Sequence, residues 1–238
     1  MKILAFDTET TGLPDDPLVS IVEFACALFD TESKRVIYTY SILVNTLDDE
    51  HKMSEGAYKV HGISEEQVKK YGRDPLKSFQ LLADQIKHSD AVMAFNAPFD
   101  QGMLERDLKR HQISCVEKPW ICAMRDIEYP DHVRGRNQGH IAADLGFVNP
   151  FPHVAIGDVL TMIKICQTLD VDWNALIETS KSPMIAVRAH VSYNDNQLAK
   201  DQKFYWNPTK KQWLKDIRTC HLEDLRSKCD FSVTKIIQ

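Results

Sequence analysis

The sequence predicts an α/β protein: a mixed central sheet whose first three strands are antiparallel, flanked by helices, with a small basic appendage at the C-terminus. Three observations carry this. Three strand-like runs follow one another through short links between Ile3 and Val44. A strand–loop–helix unit then stands at Ala91–Arg110. Finally, the charge changes sign near residue 180. Residues 1–180 hold 18 Lys+Arg against 28 Asp+Glu, and residues 181–238 hold 11 against 6. Successive strands with short links make a meander, whereas strand, loop and helix in turn mark the parallel part of a sheet.

Ile3-Leu4-Ala5-Phe6 is a short apolar run bounded by polar residues and reads as a buried strand. It runs straight into Asp7-Thr8-Glu9-Thr10-Thr11-Gly12. Two acids spaced i, i+2 at a strand end put both carboxylates on one side of the backbone. Such a pair is an acidic turn, or it is the seat of a hard divalent cation that offsets the repulsion. Gly12 to Pro17 is a loop by composition. Val19–Phe29 reads as the second strand and contains Glu23, either a buried acid or an outward-facing strand residue. Arg35–Val44 is the third.

Residues 53–70 hold two short helical pieces around His61-Gly62-Ile63. Ser64 with Gln67 matches a capping box. Pro75 opens a helix to about His88, its apolar stripe being Leu76, Phe79, Leu82 and Ile86. Ala91–Phe95 is a buried strand that leads through Asn96-Ala97-Pro98-Phe99 to Asp100 and a helix ending near Arg110. Trp120–Met124 reads as a short strand or a helix opening. Asn137–Leu145 is a short helix closed at Gly146, and an apolar helix runs from about Ala155 to Leu169. With Pro152 before it, His153 falls in the loop ahead of that helix, and Asp158 falls inside it.

The segment 178–186 carries Thr, Ser, Lys and Pro and is the candidate boundary. It divides a domain at 1–177 from a small basic module at 184–238. In that module Ile185–Ser192, Phe204–Trp206 and Gln212–Leu214 read as strands, and Asp195–Lys200 and Leu222–Lys228 as helices. So small a module needs its large rings inside, which places Trp206 and at least one other ring in its core. Lysines interleaved with aromatics, Lys210 and Lys211 among them, offer cations for phosphates and flat rings for bases, or else are the solvated face of the module.

Composition narrows the functional classes. The chain has 238 residues, a net charge of -5, 43% hydrophobic and 26% charged residues, so it can bury a proper core. No apolar run is long enough to span a membrane, and no signal peptide pattern opens the chain. The six cysteines form no C-x-x-C pair. Reduced core cysteines in a cytoplasmic protein are therefore expected, rather than structural zinc.

Taken together, Phe6-Asp7-Thr8-Glu9-Thr10-Thr11-Gly12, His61-Gly62-Ile63, Ala94-Phe95-Asn96-Ala97-Pro98-Phe99-Asp100 and His153-Val154-Ala155-Ile156-Gly157-Asp158 resemble the motifs of the DEDD superfamily of 3′-to-5′ exonucleases, in its histidine-bearing branch. Order and separation fit over residues 2–170. Within the branch the likeness is nearest to the bacterial exonuclease X family and the epsilon proofreading subunits of DNA polymerase III. The chain departs from them in a long insertion between Met124 and His153, with Arg125, His132, Arg134 and Arg136, which would reshape the substrate groove.

The resemblance implies a ribonuclease H-like exonuclease fold and two divalent cations, Mg²⁺ or Mn²⁺, held by Asp7, Glu9, Asp100 and Asp158. It implies His153 as general base, with a ligand role as the alternative. Hydrolysis from the 3′ end of single-stranded or frayed DNA would release nucleoside 5′-monophosphates. RNA trimming and a non-catalytic nucleic-acid-binding or polymerase-partner role are the other readings. Substrate contacts fall to Thr8, Thr10, Leu13, His61, Ile63 and Asn96, with Lys210 and Lys211 in the tail. A homodimer and a replication or repair partner are the associations to expect.

Overall fold

The computed structural model describes residues 1–135, 137–192 and 194–236, so Arg136 of the insertion lies outside it. The chain divides into two units, Met1–Ile177 and Glu178–Gln238.

In the first unit, strand β1 (Lys2–Thr10) is central. It pairs antiparallel with β2 (Ile21–Asp30), which pairs antiparallel with β3 (Arg35–Leu43). On its other side β1 pairs parallel with β4 (Ala91–Ala94), and β4 pairs parallel with β5 (Trp120–Cys122). The order is β3-β2-β1-β4-β5, the mixed sheet expected from the sequence. A strand covered on both faces needs an unbroken apolar run, and Ile3 to Phe6 are wholly buried.

Alternation along β1 sorts the core into two layers. Ile3 and Ala5 pack with Ala25, Ala27 and Met93 under helix α7 (Ala155–Leu169), through Val159, Met162, Ile163 and Cys166. Leu4 and Phe6 face the other way, towards α3 (Pro75–Lys87) and α4 (Ala97–Arg110), whose Phe79, Leu82, Ile86, Met103, Leu104 and Leu108 complete the second layer. Between β3 and α3 come α1 (Glu55–His61) and α2 (Glu65–Tyr71). The Ser64–Gln67 capping box is present at the start of α2. After β5 the chain turns directly into α5 (Ala123–Asp126), so Trp120–Met124 is both a strand end and a helix opening. Helix α6 (Gln138–Asp144) carries Asn137 as its side-chain cap and packs on α7.

One sequence expectation for this unit needs correction, and one helix is added. Leu76 is 44% exposed and not part of the α3 stripe. It lies at the second helical position, in the first turn and at the margin of the stripe that Phe79, Leu82 and Ile86 continue. A further helix, α8 (Trp173–Ser180), went unread in the sequence; its last three residues fall in the segment 178–186 read as a boundary. It is anchored by Trp173, whose ring lies 5.6 Å from that of Phe29.

The second unit is a four-stranded antiparallel sheet in the order β7-β8-β6-β9, built from β6 (Met184–His190), β7 (Tyr205–Asn207), β8 (Gln212–Arg218) and β9 (Ser232–Lys235). Helices α9 (Asn196–Asp201) and α10 (Leu222–Lys228) complete it. Its core holds Val187, Ala189, Ala199, Phe204, Ile217, Leu225 and Val233. Strand β9 went unread in the sequence, and Trp206 is not core: it is 47% exposed. Phe204 takes the buried position and contacts Phe231, while the three-residue edge strand β7 leaves Trp206 at the rim.

Candidate active site

The carboxyl ends of parallel strands in an α/β sheet are where ligands bind, because loops diverge there and helix N-termini point in. Here β1 ends in Asp7-Thr8-Glu9, α4 begins directly after β4, and α7 brings its first turn to the same layer as the odd-numbered side chains of β1. Ligand oxygens of Asp7, Glu9 and Asp158 lie within 4.8 Å of one another.

Asp100 enters from the opposite layer. The Thr8 hydroxyl, on the even-numbered face of β1, donates to Asp100 Oδ1 at 2.8 Å, and Asp100 is buried. Its charge acts on Asp7 and Glu9. Burial first, then repulsion from Asp100, Asp158, Glu9 and Glu23, raises Asp7 well above the usual carboxylate range. Glu9 is pushed up to about 8, by burial and then by Asp158, Glu23 and Asp100. Burial also raises Asp158 and Asp100, against hydrogen bonds that favour their charged forms.

A fifth acid belongs here. Glu23 stands opposite Glu9 in the β1–β2 ladder and is buried. The Ser41 hydroxyl donates to it at 3.1 Å and the Ala155 N–H at 3.4 Å, which ties the first turn of α7 to the sheet. The sequence offered Glu23 as an acid inside a strand, and nothing in its spacing linked it to Asp7 or Glu9. Asn149 was missed altogether. Its amide donates to Asp158 Oδ1 at 2.7 Å, and its own oxygen accepts the Phe151 N–H at 2.9 Å. The His153 N–H takes the other oxygen of Asp158, at 3.0 Å. A Cβ at Gly157 would meet the Phe151 carbonyl at 2.5 Å, so this loop can lie so close to α7 only over glycine.

His153 is exposed, in a left-handed backbone conformation (φ 60°). His61 is half-buried: its Nδ1 accepts the Ile63 N–H at 3.0 Å, so Nε2–H donates to the Thr10 carbonyl at 3.2 Å. Burial lowers its pKa, and nearby His153 adds to that. Ile63 therefore meets His61 through its backbone. Thr10 gives its hydroxyl to the Gly12 carbonyl, and Leu13 projects 69% exposed. The Asn96 oxygen accepts from Arg125 at 2.9 Å.

The loop carrying Leu13 is held from α4. Arg106 donates to the carbonyls of Pro14 and Asp16, and fully buried Asp107 accepts from Ser20 Oγ and the Ile21 N–H. Lys210 and Lys211 lie in the second unit, in the turn joining β7 and β8.

Every donor in the acidic cluster is a carboxylate oxygen, the ligand type that hard divalent cations take. Carboxylates held above their ordinary range by burial and by one another form a site short of positive charge, so the residues present fit such a cation. Sheet order, acid placement and the histidine before α7 are the arrangement that the resemblance in the sequence led us to expect.

Comparison with known proteins agrees. Residues 4–166 match the family model described as Exonuclease, and the chain belongs to that family. Residues 185–236 match a model described as a domain of unknown function (DUF8626). Among curated proteins compared, none matches the sequence.

Several solved structures share the fold at low identity. The nuclease domain of 3′hExo, a DEDDh family member bound to rAMP, is 16% identical with a TM-score of 0.59, covering 71% of this chain and 92% of that one. Escherichia coli exonuclease I in complex with a dT13 oligonucleotide is 12% identical with a TM-score of 0.66, covering 99% of this chain and 65% of that one. The present chain thus spans about two thirds of that exonuclease I. These matches show a shared fold and single out neither exonuclease X nor the epsilon subunits. Among the described residues, no helix is long and apolar enough to cross a membrane.

Proposed function

We propose that this exonuclease removes nucleotides one at a time from the 3′ end of single-stranded or frayed DNA, releasing nucleoside 5′-monophosphates. The observation that carries the reading is the convergence of Asp7, Glu9 and Asp158 within 4.8 Å, with Asp100 coupled to them through Thr8 and through charge.

Asp7, Glu9, Asp100 and Asp158 would hold two hard divalent cations, Mg²⁺ or Mn²⁺. When bound, such ions supply activation of water and charge neutralisation at the phosphoryl group. The remaining work falls to the chain. His153, at the mouth of the site, takes the proton of the attacking water, the role that a histidine most often fills in general base catalysis. Asn149 and the His153 N–H fix both oxygens of Asp158, and Thr8 fixes Asp100. Leu13 packs against the terminal base, His61 and Ile63 flank it, and Thr8, Thr10 and Asn96 line the sugar-phosphate. None of these contacts needs a base edge, as an enzyme that accepts every base requires.

The relatives span both polymers: 3′hExo was solved with rAMP and exonuclease I with oligodeoxynucleotides. The deciding experiment is cleavage of matched DNA and RNA oligonucleotides labelled at either end, with Mg²⁺, Mn²⁺ or EDTA. Faster release from DNA 3′ ends, abolished by EDTA and by Asp7→Asn, is the expected result. Release of the 5′ label first, or undiminished activity in EDTA, overturns the reading, and faster cleavage of RNA overturns its substrate.

A further inference from the structure

A tryptophan on a three-residue edge strand is an expensive residue to leave in water, since burying an aromatic of this size is a main source of stability in a small unit. Trp206 is nonetheless 47% exposed. It is not loose. It stands opposite Trp213 in the β7–β8 ladder, with ring centroids 5.5 Å apart at an interplanar angle of 58°. Tyr205, its neighbour on the same strand, is 42% exposed.

Positive charge is arranged around this pair. Lys200 Nζ on α9 lies 6.0 Å from the Trp213 ring centre. Lys210 and Lys211 occupy the turn between the two strands and are both exposed. That turn has a defined shape: the Lys210 N–H donates to Asn207 Oδ1 at 2.8 Å, and Lys211 takes a left-handed backbone (φ 50°). Among the described residues no ion pair occupies Lys200, Lys210 or Lys211. The surrounding segment carries a net +5, whereas residues 1–180 carry a net -10. A fixed aromatic flanked by unneutralised lysines is the combination that binds single strands without sequence preference, because every base has a face to stack and every nucleotide a phosphate.

We propose that the β7–β8 hairpin is a binding site for single-stranded nucleic acid, with Trp206 as the stacking ring and Lys200, Lys210 and Lys211 as the groups that meet phosphate. The site is separate from the acidic cluster in its residues and chemistry, so it can be tested with hydrolysis switched off.

The test is fluorescence anisotropy of labelled oligo-dT and oligo-rU with the full chain in EDTA, titrated over a range of salt. Trp206→Ala should weaken binding roughly 5- to 150-fold, the usual worth of one stacked base. Lys210→Ala with Lys211→Ala should flatten the dependence of log affinity on log salt by about 1.4, because each phosphate neutralised on a single strand adds about 0.7 to that slope. Comparing the two polymers shows whether the hairpin distinguishes ribose from deoxyribose. The lysines lie in an exposed turn, so the double variant decides the matter if Trp206→Ala fails to fold. Unchanged affinity and salt slope in folded variants overturn the proposal and leave the open edge of β7 to a protein partner.

Discussion

Glu9 and Glu23 stand directly opposite one another in the β1–β2 ladder, two buried carboxylates side by side on the face that receives α7. Like charges across a ladder destabilise the pair, and burial compounds it. Glu9 is raised from 4.5 to about 8. A carboxyl whose pKa is higher folded than unfolded binds its proton more tightly in the native state. Its stabilising share is therefore complete below about pH 4.5 and is lost as pH rises towards 8. Asp7, Glu23 and Asp158 shift in the same direction. In EDTA the melting temperature should fall between pH 6 and pH 8.5, roughly the span of that titration. Added Mg²⁺ or Mn²⁺ should raise it more at the higher pH. A metal response that is equal at both values, read by differential scanning fluorimetry, contradicts this.

Asn149 should matter to the metal without touching substrate chemistry. It holds Asp158 Oδ1 and fixes the turn at Phe151. Residues that orient a ligand in this way typically account for 10- to 100-fold in metal affinity or activity. Asn149→Ala should weaken Mn²⁺ binding by roughly that factor. Isothermal titration calorimetry checks it, and an unchanged affinity would remove Asn149 from the site.

His153 is expected to behave in the opposite way. The residue is exposed, and its backbone N–H donates to Asp158. His153→Ala should lower kcat by roughly 10²–10⁴, the worth of a positioned base, with metal affinity nearly unchanged. A large loss of metal affinity in calorimetry would make this histidine a ligand.

The Asp107 clamp should show in stability. This carboxylate is fully buried against Ser20, the Ile21 N–H and Arg110. Removing it leaves the buried Ser20 hydroxyl and Ile21 N–H without their acceptor, at a cost of about 1–3 kcal/mol. Asp107→Ala should lower the urea midpoint accordingly. A loss below about 1 kcal/mol, the range of an exposed pair, would show the clamp to be solvated.

The acidic cluster was legible in the sequence because its members sit at places with strong local signals: a strand end for Asp7 and Glu9, a strand–loop–helix junction for Asp100, a helix start for Asp158. Glu23 and Asn149 were not, since one depends on the register between two strands and the other on a loop folding back over Gly157. Neither pairing leaves a trace in spacing. Trp206 misled for a related reason. The rule that small units bury their large rings holds for Phe204, but which ring falls at the rim depends on β7 being a short edge strand. Strand β9 and helix α8 went unread because their short or mixed sequences acquire regular structure only by docking, β9 on β6 and Trp173 on Phe29.

Thr8 meets Asp100 across 92 residues, and Glu23 meets the start of α7 across 132. Loops of that length close late, because their ends must find each other before any favourable interaction rewards the search. On a ribosome, then, a chain that has already built its β-meander still has no cutting centre. Degradative power arrives only with α7, when most of this nuclease unit has been made.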